Sequence, residues 1–420
     1  MIISKRIYYR RLFITMLALG VLISMGTPIA NRYLFHIDVI DMVCKYLFVV
    51  FTSIFVFDFC IKIIRHHGIK GYLKYNKMLK SLETNLLAIG AYVQPENKAF
   101  AILPKIRVKD NTIRIRMGNL KIRSAIEKYL ETFSTALPAD LIVEDYYFTQ
   151  NNAEVVIVYE DMRNYRPEQY SLSTYICKIR ELDLLTLYFD RKHAVNLRDY
   201  PHILVSGQSS SGKSYLANQL VIQAITKGFD VVILDVKRSY GLYKAYADYC
   251  YEIEDIIAKL KVVENEMYSR MQKLQPVLDK NPNTLAVDIG LNPRLIVVEE
   301  YISLLSSLDK KQKDEVERII KNLSVLARQS NMHLLMVMQA AGTENINPTT
   351  RSNLSAKVLL GNPQSNILLS TFGTGADLPH CHSHFEKGQG LIQLDRITVL
   401  RVPYIEDIDA FNTTVLGTMP

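Results

Sequence analysis

The sequence predicts an α/β chain in three parts: two membrane-length apolar helices, a small α+β module, and a larger domain of alternating strands and helices. Three observations carry this. Of 420 residues, 49% are apolar and 22% charged, with sparse glycine (18) and proline (14). That balance supports at least two globular cores and excludes disordered, collagen-like and low-complexity chains. Two long apolar runs stand near the start. From Pro201 onward the periodicity alternates strand, helix, strand.

The apolar runs come first. Leu12 to Ala30 carries no charge, and Met42 to Ile61 is broken only by Lys45 and Asp58. Each is long enough to cross about 30 Å of hydrocarbon as a helix. A signal peptide is the alternative for the first, since Lys5, Arg6, Arg10 and Arg11 precede it; its length, the missing small-residue cleavage site and the second run argue against that. Residues 1–68 are therefore expected to form a two-helix membrane anchor with spans at about 12–30 and 42–61. Basic residues flank both outer ends, and the stretch Asn31 to Asp41 has only Arg32 against Asp38 and Asp41, so both termini are expected in the cytoplasm. Asp58, near the cytoplasmic end, reads as snorkelling or helix pairing.

The net charge of +8 is unevenly placed. Residues 1–140 hold 21 Lys and Arg against 9 Asp and Glu, whereas the remainder is slightly acidic. The basic half suggests a polyanion or a membrane surface. Five cysteines at 44, 60, 177, 250 and 381, without CxxC spacing, argue against a disulfide framework or thiolate zinc site and for a reducing compartment.

A basic linker helix is expected over 69–93, and a small α+β module over 94–194. Alternation predicts strands near 99–108 and 112–117, a helix near 123–137, and strands near 141–149 and 153–160. Arg107, Lys109, Arg114, Arg116, Lys121 and Arg123 crowd its first half. Arg114 and Arg116 share a strand face, which reads as a solvated face or a nucleic-acid contact. No aromatics alternate with them, and that favours the former.

The chemistry is most specific in residues 195–405. The apolar strand HILVS runs into GQSSSGKS, then into the apolar helix YLANQLVIQAI. Gly207, Gln208, Ser209, Ser210, Ser211, Gly212, Lys213 and Ser214 match G-x-x-x-x-G-K-[ST] in the strand-to-helix context it requires. Such a loop cradles phosphate with backbone amides, Lys213 reaching the β and γ phosphates of ATP and Ser214 ligating Mg2+. The expected fold class is thus a P-loop NTPase (RecA-like) domain, a motor domain by the resemblance given below.

A second apolar strand, RLIVV, ends in Glu299 and Glu300. Glu299 is assigned to the metal and Glu300 to the attacking water. The metal position is more often Asp, so Glu299 is a departure. A third strand ends at Asp235, with Lys237 and Arg238 beyond it. A fourth, HLLMVMQ, ends at Gln339, placed to sense the γ-phosphate.

Several motifs in order make residues 195–400 resemble the motor of the FtsK/SpoIIIE family of DNA translocases. They are the phosphate loop, ILDVKRSYGLYKAY, Glu266-Met267-x-x-Arg270, VVEEY, and Arg328 with His333 before the sensor strand. Ala340-Ala341 stand where septal translocases usually show Arg-Pro. The chain stops at Pro420 after a tail of 406–420, without the DNA-reading module and long linker of chromosome translocases. The resemblance is then to the coupling ATPases of conjugative plasmids and integrative elements. It implies a membrane-anchored homo-hexamer that moves DNA without sequence preference and meets relaxase and transfer-channel proteins. It leaves the arginine finger open between Arg328 and Arg351. A protein-secretion motor, a septal chromosome-segregation translocase and a non-catalytic scaffold remain alternatives. HCHSH at 380–384 reads as a surface loop rather than a metal site. Lys310, Lys311 and Lys313 are either pore contacts to DNA or a solvated helix start.

Overall fold

The computed structural model describes residues 3–34, 38–96, 100–342, 345–362, 364–373, 375–379 and 384–408. The chain divides into two compact units, Met1–Tyr165 and Arg166–Pro420. Residues 166–194, expected with the α+β module, belong to the second unit.

In the first unit a short strand β1 (Ile3–Ser4) leads into helix α1 (Lys5–Leu34), followed by α2 (Asp38–Arg65) and α3 (Ile69–Ala88). Among the described residues one stretch, Tyr46–Arg65 of α2, is long and apolar enough to cross a membrane, and none of its most apolar window is buried. Residues 12–30 lie inside α1, so one candidate span stands where two were expected. Both helices also extend into the expected connecting stretch 31–41.

Strand β2 (Phe100–Ala101) pairs with β1. The expected strand 99–108 is broken: Pro104 has no N–H for a ladder, and pairing resumes only in β3 (Ile106–Lys109). With β4 (Thr112–Arg116), β5 (Leu141–Phe148) and β6 (Glu154–Asp161) it forms an antiparallel sheet in the order β3-β4-β6-β5. Between β4 and β5, Asn119 caps α4 (Leu120–Tyr129), its Oδ1 accepting the Ile122 N–H at 2.8 Å. This helix is shorter than expected, and a 3-10 turn at Phe133–Ala136 fills the rest before Pro138.

The second unit opens with β7 (Gln169–Ser171), α5 (Leu172–Arg180), and the hairpin β8 (Thr186–Asp190) and β9 (His193–Asn196). Then come β10 (Ile203–Gly207), α6 (Lys213–Thr226), β11 (Asp230–Asp235), β12 (Asp248–Cys250), α7 (Ile253–Leu278) and β13 (Arg294–Glu299). The chain continues through α8 (Tyr301–Ser306), α9 (Lys310–Leu326), β14 (Met332–Met338), α10 (Pro348–Asn353), β15 (Ala356–Leu360) and α11 (Ser365–Phe372). It closes with β16 (Gln389–Gln393), β17 (Ile397–Arg401) and β18 (Tyr404–Glu406), the last paired with β7.

The main sheet runs β12-β11-β13-β14-β10-β15-β16-β17, parallel through β15 and antiparallel beyond. Its strands are near-continuous apolar runs because both faces are covered. Alternate residues feed opposite cores. Ile203, Val205, Ile233, Val297 and Val337 pack with α5 and α6, while Leu204, Val232, Leu234, Ile296, Val298 and Met336 pack with α7, α8 and α9. Consequently β10, β13 and β14 end together at one edge, as the parallel register aligns Ser206 with Met338, and Glu299 with Asp235 of β11.

Candidate nucleotide site

At that edge the chain leaves β10, turns, and starts α6 at Lys213. The turn needs its glycines. Gly207 has φ 143°, and a Cβ there would stand 2.4 Å from the Leu360 carbonyl oxygen of the neighbouring strand; Gly212 has φ 106°. Gln208, Ser209 and Ser210 are exposed, and Ser210 is itself left-handed at φ 63°. Ser211 is buried, and its Oγ has no hydrogen-bond partner among the described residues. Buried unpartnered polar groups are costly and rare, so a cradle with an orphaned hydroxyl fits a polar ligand.

Lys213 is buried, and its ammonium donates to the Gln208 carbonyl of its own loop at 2.8 Å. Burial lowers its pKa, and Glu300 and then Glu299 oppose that shift. Ser214 Oγ donates to Glu299 at 3.0 Å. The two residues that would hold Mg2+ are therefore adjacent, although 85 positions apart in sequence.

Glu299 ends β13, is almost wholly buried, and accepts a second hydrogen bond from the Tyr240 hydroxyl at 3.0 Å. Burial pushes its pKa above the usual carboxylate range, while the Ser214 and Tyr240 donors pull it back. Glu300 follows in the left-handed region, with φ 50° and ψ 58°, at the turn into α8. A non-glycine residue held there marks a strained position of the kind found at active sites. Its carboxylate accepts from Lys237 at 2.8 Å.

Asp235 explains why Lys237 and Tyr240 lie here. Fully buried at the end of β11, it accepts the N–H groups of Lys237 at 3.0 Å and Tyr240 at 3.0 Å, and the Tyr249 hydroxyl at 3.1 Å. One carboxylate thus folds the segment 236–240 back over the site. The sequence reading noted the Asp-x-Lys-Arg motif but missed Tyr240 as a partner of Glu299 and Lys237 as a partner of Glu300. The signal was available: a buried-type strand ending in Asp, followed by donors.

Gln339 follows β14 with an exposed side chain, and its carbonyl accepts the Gly207 N–H at 3.3 Å. Arg351 lies in α10, donating to the carbonyls of Ala341 at 3.3 Å and Ser370 at 3.0 Å. Arg328 is elsewhere. It precedes β14 and bonds the Arg198 carbonyl at 3.1 Å, so the length of the strand, roughly 20 Å at about 3.3 Å per residue, separates it from the phosphate loop.

The remaining motif residues clamp that far end. Arg270 bonds Glu266 at 2.9 Å and the carbonyls of Asn292 and Ser330 at 2.7 and 3.1 Å, while His333 bonds the Pro201 carbonyl at 2.9 Å. Residues 380–383 lie outside the described residues; His384 is exposed. Among the described residues no group of three His, Cys, Asp or Glu could hold a metal. Lys310, Lys311 and Lys313 are exposed at the start of α9, which Asp309 caps.

Comparison with known proteins finds likenesses of sequence and of fold. Residues 186–355 match the family model of the HerA helicase central domain. The FtsK-domain protein YdcQ of Bacillus subtilis is 26% identical over 38% of this chain and 34% of its own length. DNA translocase FtsK of Helicobacter pylori is 26% identical over 39% of this chain and 21% of its own. The pCW3 conjugation coupling protein TcpA, solved as a monomer with ATPγS, superposes with a TM-score of 0.51 over 81% of this chain and 99% of that one, at 16% identity. Residues 186–355 thus resemble HerA- and FtsK-type domains, and the fold of the chain resembles that of TcpA. The matched residues lie in the second unit. The chain spans about a third or less of the length of the curated relatives it matches.

Proposed function

We propose that this chain is a membrane-anchored, ATP-driven DNA translocase that serves as the coupling protein of a conjugative plasmid or integrative element. The observation that carries the reading is the convergence of Lys213, Ser214, Glu299 and Glu300 at one sheet edge. The likeness in fold to TcpA supports the conjugative context.

In this reading the loop Gly207 to Ser214 binds the ATP phosphates, and Lys213 leaves the Gln208 carbonyl to meet the β and γ oxygens. Mg2+, held by Ser214 and Glu299, would neutralise phosphate charge when bound. Glu300 leaves Lys237 and accepts a proton from the attacking water, which Gln339 helps to orient. Arg351 or Arg328 serves as the finger, and Arg328, remote from its own loop, could reach only a neighbour's site. That requires a ring, here a homo-hexamer around DNA with a relaxase as cargo. Its anchor is a helical hairpin of α1 and α2 with both termini in the cytoplasm; residues 69–93 link it to the α+β module, and residues 195–405 form the core of the motor.

Two variants test the site. Lys213→Ala should abolish ATP binding. Glu300→Gln should bind ATP normally and lose turnover by roughly 10²–10⁴-fold. Normal turnover by Glu300→Gln contradicts its assignment as the base.

A further inference from the structure

Residues of the first unit alone line an open cavity of about 1470 Å³. Its walls come from the start of α1, from the end of α2, from α3 as far as Glu83, from the stretch Ile102 to Asp110 that includes β3, and from Tyr159 of β6. Eight Lys and Arg residues line it, against the two carboxylates of Glu83 and Asp110. Glu83 is already engaged, accepting from Ser4 and Arg6, each at 3.1 Å. Asp110 sits on the exposed β3–β4 turn, 3.9 Å from Lys109. Among the described residues, Lys5, Arg10, Arg65 and Arg107 have no carboxylate partner.

Like charges gathered around one cavity repel one another, and an anion placed among them removes that repulsion. The cavity also has an amphipathic rim. Tyr9, Tyr72, Tyr75 and Tyr159 line it, and His66 stacks on Tyr75 with ring centroids 4.0 Å apart. Arg65 both lines the cavity and ends the exposed apolar stretch Tyr46–Arg65. Where that helix spans a bilayer, its basic end and the tyrosines lie at headgroup depth.

We propose that this cavity holds the phosphate-bearing headgroup of an anionic phospholipid, an inference that rests on α2 spanning the membrane. Free phosphate shares the charge chemistry. The tyrosine rim and the adjoining apolar helix favour a ligand whose other end is apolar.

The test uses the full chain in neutral detergent, with dihexanoyl phosphatidylglycerol, dihexanoyl phosphatidylcholine or inorganic phosphate added. Binding is read by native mass spectrometry and thermal unfolding. Phosphatidylglycerol should bind and raise the midpoint, and the other two should not. Each basic residue near an anionic surface contributes about a fivefold factor. The triple variant Arg10→Gln, Arg65→Gln, Arg107→Gln should therefore bind roughly a hundredfold more weakly. The corresponding triple Arg→Lys variant should retain binding, which separates lost charge from lost fold. Equal binding of phosphatidylcholine, reproduction of the effect by phosphate alone, or unchanged affinity in the Gln variant overturns the proposal. Failure of the membrane reading shows separately, as a chain recovered in the aqueous fraction without detergent.

Discussion

Glu299 and Glu300 are neighbours in sequence with different surroundings. Glu299 is buried against two hydroxyl donors, and Glu300 is turned into the left-handed region and paired with Lys237. In the proposed function the first is the metal ligand and the second a base that must be released before it works. Tyr240 provides a test of the metal side. Its hydroxyl favours the charged form of Glu299, so Tyr240→Phe raises that pKa further. Because only the carboxylate can hold Mg2+, the acid limb of the ATPase pH profile should move to higher pH, with turnover at alkaline pH little changed. An unmoved acid limb in a pH–rate series contradicts the coupling of Tyr240 to the metal site. The two carboxylates and the phosphate loop were legible in the sequence because each motif is local. Tyr240 and Lys237 were signalled only indirectly, by a buried-type strand that ends in Asp235 and is followed by donors, because their partners Glu299 and Glu300 come within reach only once β11 and β13 lie side by side.

At the scale of elements, the turn from β10 into α6 is fixed by close approach to β15. A side chain at Gly207 would meet Leu360 backbone at 2.4 Å in a conformation L-residues rarely adopt. Gly207→Ala should therefore cost about 1–3 kcal/mol or more in denaturant unfolding and abolish ATP binding; unchanged stability contradicts the packing argument. In the first unit, Arg107 of β3 lies directly opposite Arg114 of β4, and both are exposed, as is Arg116. Like charges directly opposite across a ladder are destabilising. Arg114→Ala with Arg116→Ala should thus leave stability unchanged or slightly raised. A shallower salt dependence of DNA binding in that double variant assigns the face to DNA, and an unchanged one leaves it solvated. Strand alternation made β4, β5 and β6 legible. The break at Pro104 and the short pieces β7 to β9 were less so, because they are stabilised by tertiary partners such as β18 and α6 rather than by their own periodicity.

At the scale of the whole molecule, the far end of the main sheet holds two fully buried histidines. Burial lowers His202 to about 3 and His333 to about 4. The unfolded chain takes up protons at these sites near pH 6.5 and the folded chain does not. Their contribution is therefore full above pH 6.5 and is lost as pH falls towards 4, at about 1.4 kcal/mol per pH unit for each histidine. Unfolding of wild type and His333→Gln between pH 6.5 and 4.5 should show a shallower dependence in the variant; equal slopes contradict it. The parallel sheet was legible from its apolar runs, whereas the antiparallel strands β16 and β17 were not, because nothing local distinguishes the reversal of direction. In the proposed function, hydrolysis at this site is coupled to DNA. The most direct measurement is ATP hydrolysis by the full chain, with and without random-sequence single- and double-stranded DNA, across a salt series. Stimulation by DNA regardless of sequence is expected, fading as salt rises because each neutralised phosphate contributes about −0.9 to the slope of log K against log salt. Hydrolysis indifferent to every DNA and stimulated instead by a secreted protein would contradict it.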